Sequence, residues 1–521
     1  MEGNFEVIFV LITLLVMLAV LVADLMRPGL VMFSVCVLFV CTGILSPEEL
    51  VAGFSNKGMI TVALLFLVSE GIRRSDALGH MISHILPVRK GRKPTVMKGY
   101  SKLMPTIAGI SAFLNNTPIV VIFIPIVKEW AAKAGLPVKK FLIPISYAAI
   151  LGGMCTLIGT STNLVVHGMM LEAGYEGFSI FELGKVGGFI AIAGILYIIL
   201  FGNRLLPSDR TPEETAAASA SKDTRQIEAV IGPRFKGINR QYGSLDFRKR
   251  YGARLIDVRR NGKSLLGTAE DPVYKEGDTL LIEADDSFFN NWGDSSEFLM
   301  LSNGRPHRLP CPKWKKWVSV SLLALMIAGA TFGQMPKIRE LVPGISLDMF
   351  FWVCIVTVIM AILNLFPAKR YTKFISWDIL VTIASALAIS KAMTNSGLAD
   401  MIAGKLTSNI SGSVSPMIVL ASLYIVTNII TELITNNAAA AFAFPIALSA
   451  ASQLGVDPMP FFVAICIAAS ASFSTPIGYQ TNMIAQGIGN YRFRDFTRFG
   501  FPLNLIAFTL SMILIPVFWK F

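Results

Sequence analysis

Long apolar runs separated by short polar loops make up most of this chain. A helix needs about 20 apolar residues to cross a bilayer, and ten runs approach that length. Five of them precede a polar stretch at 206–312 and five follow it. The pattern predicts ten membrane-crossing segments, at residues 7–26, 28–45, 59–72, 141–164, 180–200, 317–332, 349–366, 375–393, 461–484 and 502–518.

Two further apolar stretches contain polar interruptions and do not fit as simple crossings. Residues 104–126 are interrupted by Asn-Asn-Thr-Pro at 115–118, and residues 417–452 by Thr-Asn-Asn at 435–437. Adjacent polar residues in the middle of a membrane are costly unless they line a cavity. We therefore expect two re-entrant helical hairpins with polar tips.

The two membrane halves repeat the same landmarks in the same order. Hairpin positions recur after 320 residues and a glycine-asparagine motif recurs after 319. An odd number of crossings in each half makes the repeats inverted, and inverted repeats with broken helices are typical of secondary transporters. The matched sets are Ser111, Asn115, Asn116 and Pro125 with Thr431, Thr435, Asn436 and Pro445, and Gly159, Asn163 and Gly168 with Gly478, Asn482 and Gly487.

The basic residues predict which loops share a side of the membrane. The net charge is +12, although residues 206–312 are neutral, so the excess lies in the membrane part. Basic loops at 89–102, 128–140 and 369–373 are predicted to be cytoplasmic, as is the insert. The N-terminus and the acidic loop at 172–176 are predicted to lie outside. This distribution predicts a multi-pass protein of the cell inner (plasma) membrane, in contact with the lipid bilayer, and excludes nucleic acid as a partner.

Composition and motifs exclude several other classes. Charged residues make up 15% of the chain, against roughly 25% in soluble proteins. The six cysteines form no C-x-x-C pair, and the four histidines lack metal-binding spacing. A phosphate-binding loop is missing, so ATP drive is not expected. No nucleophile–base or paired-carboxylate arrangement is present, so an enzyme is not expected.

Each half offers a hairpin tip and a helix break where N–H groups at a helix N-terminus lack intrahelical partners. Such groups suit an anion, and freed carbonyl oxygens suit a small hard cation. None of the four motifs contains lysine or arginine, which favours a co-bound cation that neutralises the substrate. The side chains expected there are Asn116, Thr117, Asn436 and Asn437 as donors, Thr162, Asn163, Thr481 and Asn482 closing the site, and Ser111, Asn115, Thr431 and Thr435 as oxygen ligands.

These motifs resemble those of the divalent anion:sodium symporter family, within the wider ion-transporter superfamily. That family carries Ser-Asn-Thr at both tips, a Ser or Thr four residues earlier, and a Gly/Ala-x-x-Pro-Asn break in each repeat. The resemblance covers both membrane halves and is closest to the sulfate-permease-like branch. Asn115 and Asn437 depart from the family pattern, in which they are Ser and Thr. The resemblance implies a homodimer that works by an elevator mechanism, with residues 80–88 in the arm that links scaffold and transport unit.

The same resemblance implies ligands for each position. Na⁺ is the implied coupling ion, with H⁺ as the alternative and no organic cofactor. The first sodium site would use Ser111, Asn115, Asn116 and Gly159, and the second Thr431, the backbone of Ile434, Asn436 and Gly478. The anion would contact Asn116, Thr117, Asn436, Asn437, Thr160 and Tyr479. Supporting residues would be Asn163, Asn482, Thr435 and Glu432. For Glu432, proton or cation binding and a purely structural role both fit the sequence.

The polar insert separates the halves into three predicted domains, 1–205, 206–312 and 313–521. It opens with a linker at 207–221 and then shows short strand-like runs at 228–231, 253–258 and 279–284. Residues of about 225–292 resemble the C-terminal TrkA-type (regulator of K⁺ conductance) domain, a small α/β module. The resemblance implies either a small-molecule regulator bound to the insert or a passive role in dimerisation or folding.

The sequence therefore predicts an all-α polytopic membrane protein of two inverted five-helix repeats, each with a re-entrant hairpin and a broken helix, and a small α/β insert. The expected function is secondary active transport of a small divalent oxyanion, with sulfate first, coupled to Na⁺ or H⁺. A di- or tricarboxylate symporter is the first alternative. A transporter-like anion sensor that signals through the insert is the second. An ion channel is disfavoured because no carbonyl-filter motif is present.

Overall fold

The computed structural model describes most of both membrane halves and much of the insert. Within the described residues the fold is helical except for one small sheet. The predicted arm at 80–88 lies outside the described residues, as does most of the linker at 207–221. The described residues are 2–23, 25–75, 95–208, 225–260, 263–265, 273–284, 288, 292, 295, 297–302, 312–333, 346–408 and 415–521.

The first half begins with four helices, whose ends follow ordinary capping chemistry. Ser46 and Glu49 form a reciprocal capping box, and the Asn56 side chain accepts a hydrogen bond from Gly58 N at 2.8 Å. Pro28 occupies the first turn of the second helix, where its missing N–H is harmless. The four helices are α1 (Glu2–Val22), α2 (Pro28–Cys41), α3 (Pro47–Ala52) and α4 (Lys57–Arg74).

The remainder of the first half contains the hairpin and the broken helix. The hairpin arms stop and restart at the polar tip, and a non-helical segment at 154–160 divides the next crossing. The helices are α5 (Val96–Ser111), α6 (Asn116–Ala134), α7 (Lys139–Gly153), α8 (Ser161–Glu172) and α9 (Gly184–Leu205).

The second half repeats this order. Its hairpin arms are α15 (Pro416–Leu433) and α16 (Asn436–Leu454). A non-helical segment at 471–479 divides α17 (Met459–Ser470) from α18 (Gln480–Gly489). Its helices, after the insert helix α10 (Phe247–Tyr251), are α11 (Lys313–Phe332), α12 (Met349–Ile362), α13 (Trp377–Asn395), α14 (Leu398–Ser408), α15 (Pro416–Leu433), α16 (Asn436–Leu454), α17 (Met459–Ser470), α18 (Gln480–Gly489) and α19 (Phe493–Phe518).

The predicted fold class is confirmed. Each of the ten predicted crossing segments corresponds to a described helix or to a broken pair, and both predicted hairpins are present. Eight helices in the described part of the chain are long and apolar enough to cross a membrane. The short helices α3 and α14 were not predicted, because neither has the length of a crossing segment.

The helices pack into two groups. α2 lies against α13 and α4 against α12, whereas α5 packs on α7, α9 on α19 and α15 on α17. The second group carries both hairpins and both broken helices. The groups meet where α16 contacts α13 and where α8 contacts α4.

The insert is built on a five-stranded antiparallel sheet with the order β3-β2-β4-β1-β5. A cluster of aromatic side chains around Phe235, Tyr251 and Tyr274 fills its core. Burial raises the pKa of the Asp278 carboxyl, although Arg260 at 2.7 Å opposes that rise. The last strand lies beyond residue 292, outside the TrkA-like range. The strands are β1 (Arg225–Ile231), β2 (Arg254–Arg260), β3 (Lys263–Ser264), β4 (Thr279–Ala284) and β5 (Phe298–Ser302).

Candidate functional site

The first hairpin tip is closed by a buried hydrogen bond. Ser111, the last residue of α5, donates through Oγ to Asn116 Oδ1 at 2.7 Å. Asn116 is the first residue of α6, and its side chain is fully buried. The bond fixes the carboxamide so that its Nδ2 points away from α5 and is available to the other half of the protein.

The second tip has the same arrangement. The Thr431 hydroxyl has one proton to donate, and its Oγ1 lies 2.9 Å from Asn436 Oδ1 and 2.6 Å from Ala469 O, both of them acceptors. Thr435 precedes α16 in an extended conformation, with φ −69° and ψ 145°. The predicted correspondence of Ser111 and Asn116 with Thr431 and Asn436 therefore describes one hydrogen bond that is present twice.

The helix breaks are held by a second matched set of bonds. Asn163 Nδ2 donates to Thr156 O at 2.8 Å, and Asn482 Nδ2 donates to Thr475 O at 3.1 Å. Each of these threonines also donates through Oγ1 to a tip carbonyl, Thr156 to Ala112 O and Thr475 to Glu432 O. The two asparagines therefore tie each break to its own helix, and the threonines tie each break to its own hairpin.

Thr156 and Thr475 were not among the site residues predicted from the sequence. The signal was available, because the two threonines are 319 residues apart, the same offset as the glycine-asparagine motifs. Ser146 was also overlooked. Its Oγ bonds to Asn482 Oδ1 at 2.6 Å and lies 2.8 Å from Thr481 Oγ1, so it joins α7 to α18.

The two halves meet at Tyr479. Its hydroxyl accepts a hydrogen bond from Asn116 Nδ2 at 2.5 Å and lies 3.0 Å from Thr160 Oγ1. On the opposite side, Asn437 Oδ1 accepts a hydrogen bond from Ser161 Oγ at 3.1 Å. The structure therefore brings the tip of each half against the helix break of the other half.

Weaker contacts complete this polar ring. Thr117 Oγ1 lies 3.4 Å from Gln480 Oε1, and Thr162 Oγ1 lies 3.3 Å from Asn437 Oδ1. Ser161 and Gln480 were not among the site residues predicted from the sequence. Both stand at the first position of a helix that follows a break, directly after the predicted residues Thr160 and Tyr479.

A cavity of about 880 Å³ opens onto this ring. The residues that line it include Thr117, Ser161, Asn436, Asn437 and Gln480. The four helices α6, α8, α16 and α18 all begin at the cavity wall, so four sets of N-terminal N–H groups converge on it. Because each N-terminus carries roughly half a positive charge, the part of the wall formed by the tips and breaks suits an anion, although these motifs contain no lysine or arginine.

Oxygen atoms gather beside each tip, where the two predicted cation sites lie. A Cβ added to Gly159 would come within 2.9 Å of Ser111 O, and one added to Gly478 would overlap Thr431 O. Glycine is therefore needed at both positions for the close backbone approach. Carbonyl, hydroxyl and carboxamide oxygens of this kind are ligands for small hard cations.

Two predicted cation ligands stand at the edge of these clusters. Asn115 lines the cavity beside the first tip, and Ile434 lines it beside the second, in an extended conformation with φ −130°. The ligand roles given to these and the other site residues stay predictions.

Glu432 holds the second break in a way that the first half does not repeat. Its carboxylate accepts hydrogen bonds from Ser474 N and Thr475 N at 2.8 Å each and from Asn504 Nδ2 at 2.7 Å. Ala112 occupies the matching position 320 residues earlier. This network favours the structural interpretation of Glu432, because the donors tie the loop after α17 to the end of α15.

Comparison with known proteins places the chain among membrane transporters. The family model described as citrate transporter matches residues 13–351 and 338–520. A Synechocystis protein, named only as an uncharacterized transporter, is 28% identical over 93% of this chain and 92% of its own length. Sodium/sulfate cotransporter 1 of Chlamydomonas reinhardtii is 32% identical over 51% of this chain and 30% of its own. The sodium-dependent dicarboxylate transporter SdcS of Staphylococcus saprophyticus is 23% identical over 91% and 78%.

A solved structure shares the overall fold. The YdaH transporter of Alcanivorax borkumensis aligns with a TM-score of 0.55 over 94% of this chain and 98% of its own, at 13% identity. At this level of identity the likeness concerns the fold alone.

Proposed function

Because this chain belongs to the citrate transporter family, we propose that it is a sodium-coupled symporter of a divalent oxyanion, with sulfate as the first candidate. The chain is a multi-pass membrane protein and a secondary transporter of anions, not an enzyme. The substrate, the coupling ion and the transport mechanism are the proposed part.

One observation carries the proposal: four helix N-termini and a ring of neutral donors converge on one cavity. Asn116 and Tyr479 come from opposite halves and lie 2.5 Å apart. Oriented N–H groups hold an oxyanion through dipoles and hydrogen bonds. Since the tips and breaks contain no lysine or arginine, two negative charges need co-bound cations to balance them.

The oxygen clusters at Gly159 and Gly478 provide places for those cations. Each lies next to the asparagine that is proposed to contact the anion, so a bound cation would both orient Asn116 or Asn436 and lower the electrostatic cost of the dianion. The names of the sulfate and dicarboxylate relatives both include sodium, which favours Na⁺ over H⁺.

A dicarboxylate remains the second candidate substrate. The family description and one relative favour it, whereas the sulfate relative matches with higher identity over a shorter range. The asparagine at position 437 replaces the family threonine and accepts hydrogen bonds from α8. These bonds occupy the Ser161 and Thr162 hydroxyls, so fewer donors remain for a second carboxylate, which favours the smaller dianion.

The two helix groups support an elevator mechanism. The group with α5–α9 and α15–α19 would slide as a transport unit against the group with α1–α4 and α11–α13, which would form the homodimeric scaffold. The sensor alternative uses the same cavity and predicts binding without turnover.

Uptake into proteoliposomes tests the proposal. Radiolabelled sulfate uptake should need an inward Na⁺ gradient and should persist in excess succinate. Asn116→Ala and Asn436→Ala should abolish uptake, while Asn203→Ala, at an exposed position, should not change it. Uptake inhibited by succinate would favour the dicarboxylate, uptake driven only by a proton gradient would replace Na⁺, and binding without uptake would favour the sensor.

A further inference from the structure

The insert packs against two helices, α6 of the first half and α18 of the second. Both helices begin at the proposed substrate site. α6 begins at Asn116 and carries Lys128 about three turns further along. The Lys128 Nζ atom lies 3.2 Å from Glu228 Oε2 of β1, and the side chains are 6% and 2% exposed. A buried ion pair gives little net stability compared with an apolar contact, but removing one partner is strongly unfavourable. The pair therefore fixes where the insert sits on α6.

α18 makes the second attachment. It begins at Gln480 and carries Gly487 two turns further along. Gly487 packs so closely on β4 that an added Cβ would overlap Thr279 Oγ1, and Met483 lies beneath Gly277 of the insert. The absence of a side chain at Gly487 is what lets the insert approach α18.

Between these attachments the insert forms one wall of the cavity. Lys275, Thr279 and Phe298 of the insert line the same space as the hairpin tips. Arg27, in the segment between α1 and α2, lines it as well and bonds to Pro233 O of the insert. A solute that enters or leaves the cavity on this side therefore passes along a wall to which the insert contributes.

We propose that the insert is a lid that controls access to the cavity from its own side of the membrane, with Lys128–Glu228 and Thr279–Gly487 as the two contacts that hold it closed. The consequence for uptake rests on the proposed transport function, but the opening and closing of the lid can be measured without it. α6 and α18 both extend from the lid to the proposed substrate site. Opening the lid therefore exposes the N-terminal ends of both helices, which lie at that site.

Cysteine accessibility tests the lid directly. Val121 lines the cavity on α6 and would be replaced by cysteine in full-length protein from which the six native cysteines have been removed. The probe is a water-soluble maleimide added to protein in nanodiscs. Gly487→Ala should accelerate labelling by roughly 10-fold, as expected when a close-packed contact is forced apart. Gly188→Ala is the matched control, because a Cβ there meets nothing within 4 Å.

A double variant separates lid opening from general damage. The Thr279 hydroxyl has no hydrogen-bond partner in the described structure, so Thr279→Ala removes the overlap without breaking a bond. Thr279→Ala with Gly487→Ala should restore slow labelling. Glu228→Gln should also accelerate labelling, and the exchanged pair Lys128→Glu with Glu228→Lys should slow it again. Asp257→Asn, in an ion pair within the insert, should change nothing.

Labelling at the native rate in both Gly487→Ala and Glu228→Gln would overturn the lid, as would a double variant that stays fast. If the wild type takes up no anion at all, the proposed function fails and the labelling rates still decide the lid. If the wild type takes up the anion, and uptake is faster in Gly487→Ala than in Gly188→Ala, both proposals are supported.

Discussion

Tyr479, in the second half of the chain, accepts a hydrogen bond at 2.5 Å from Asn116, in the first half, although 363 residues separate them. The Asn116 carboxamide is also held by Ser111. It therefore joins the hairpin of the first half to the helix break of the second half. The cavity is therefore assembled from both repeats, and neither repeat can form it alone.

Replacing Tyr479 by phenylalanine should leave Asn116 Nδ2 without its acceptor. An unsatisfied buried donor costs about 1–3 kcal/mol, so we expect a lowered melting temperature. Because Tyr479 is also a proposed contact of the anion, we expect roughly a 10-fold weaker apparent affinity for the anion as well. The Michaelis constant for uptake measures this. Tyr371→Phe, at an exposed position, is the control, and an unchanged Michaelis constant in Tyr479→Phe would remove Tyr479 from the site.

Thr156→Val and Thr475→Val should have similar effects, because the two threonines make matching bonds. Each substitution keeps the shape of the side chain but leaves a tip carbonyl without its donor, at a cost of about 1–3 kcal/mol. Thermal unfolding in detergent should show lowered melting temperatures of similar size. A lowered melting temperature in only one variant would mean that the two matching bonds do not contribute equally to stability.

Glu432→Gln tests the two interpretations of this carboxylate. The carboxamide offers one acceptor instead of two, and its own N–H₂ group would face Ser474 N or Thr475 N. Since hydrogen bonds to charged groups are worth about 1.5–3 kcal/mol each, we expect clear destabilisation of the loop after α17. The pH dependence of any remaining uptake should stay as in the wild type. Uptake that is active but no longer responds to pH would instead identify Glu432 as a proton carrier.

Removing sodium should lower the stability of the whole transporter if the oxygen clusters bind it. A ligand at 100 times its dissociation constant stabilises the folded state by about 2.7 kcal/mol. Replacing Na⁺ by choline at constant ionic strength should therefore reduce the melting temperature, and Ser111→Ala should diminish the difference. Equal melting temperatures in the two salts would argue against sodium sites.

The sequence was sufficient to predict the hairpins and breaks, because adjacent polar residues such as Asn115 and Asn116 are conspicuous within apolar runs and recur at a constant offset. It also placed the strands around β1, β2 and β4. The contact between Tyr479 and Asn116 could not be predicted, because it depends on how two distant repeats pack. Nothing local to Lys128 or Glu228 indicated that they form one buried pair, since each is an ordinary charged residue in its own segment.

The matched hydrogen bonds at the two tips and the two breaks also bear on the shape of the ligand. Repeats that present the same groups from opposite directions give the cavity an approximate two-fold rotation axis. A tetrahedral dianion has such axes of its own, so half a revolution about one of them returns it to nearly the same set of donors. Citrate has no two-fold rotation axis, so half a revolution does not return it to an equivalent orientation. Tyr479 opposite Thr160, Gln480 opposite Ser161 and Asn437 opposite Thr117 are among the places where this rotational equivalence ends.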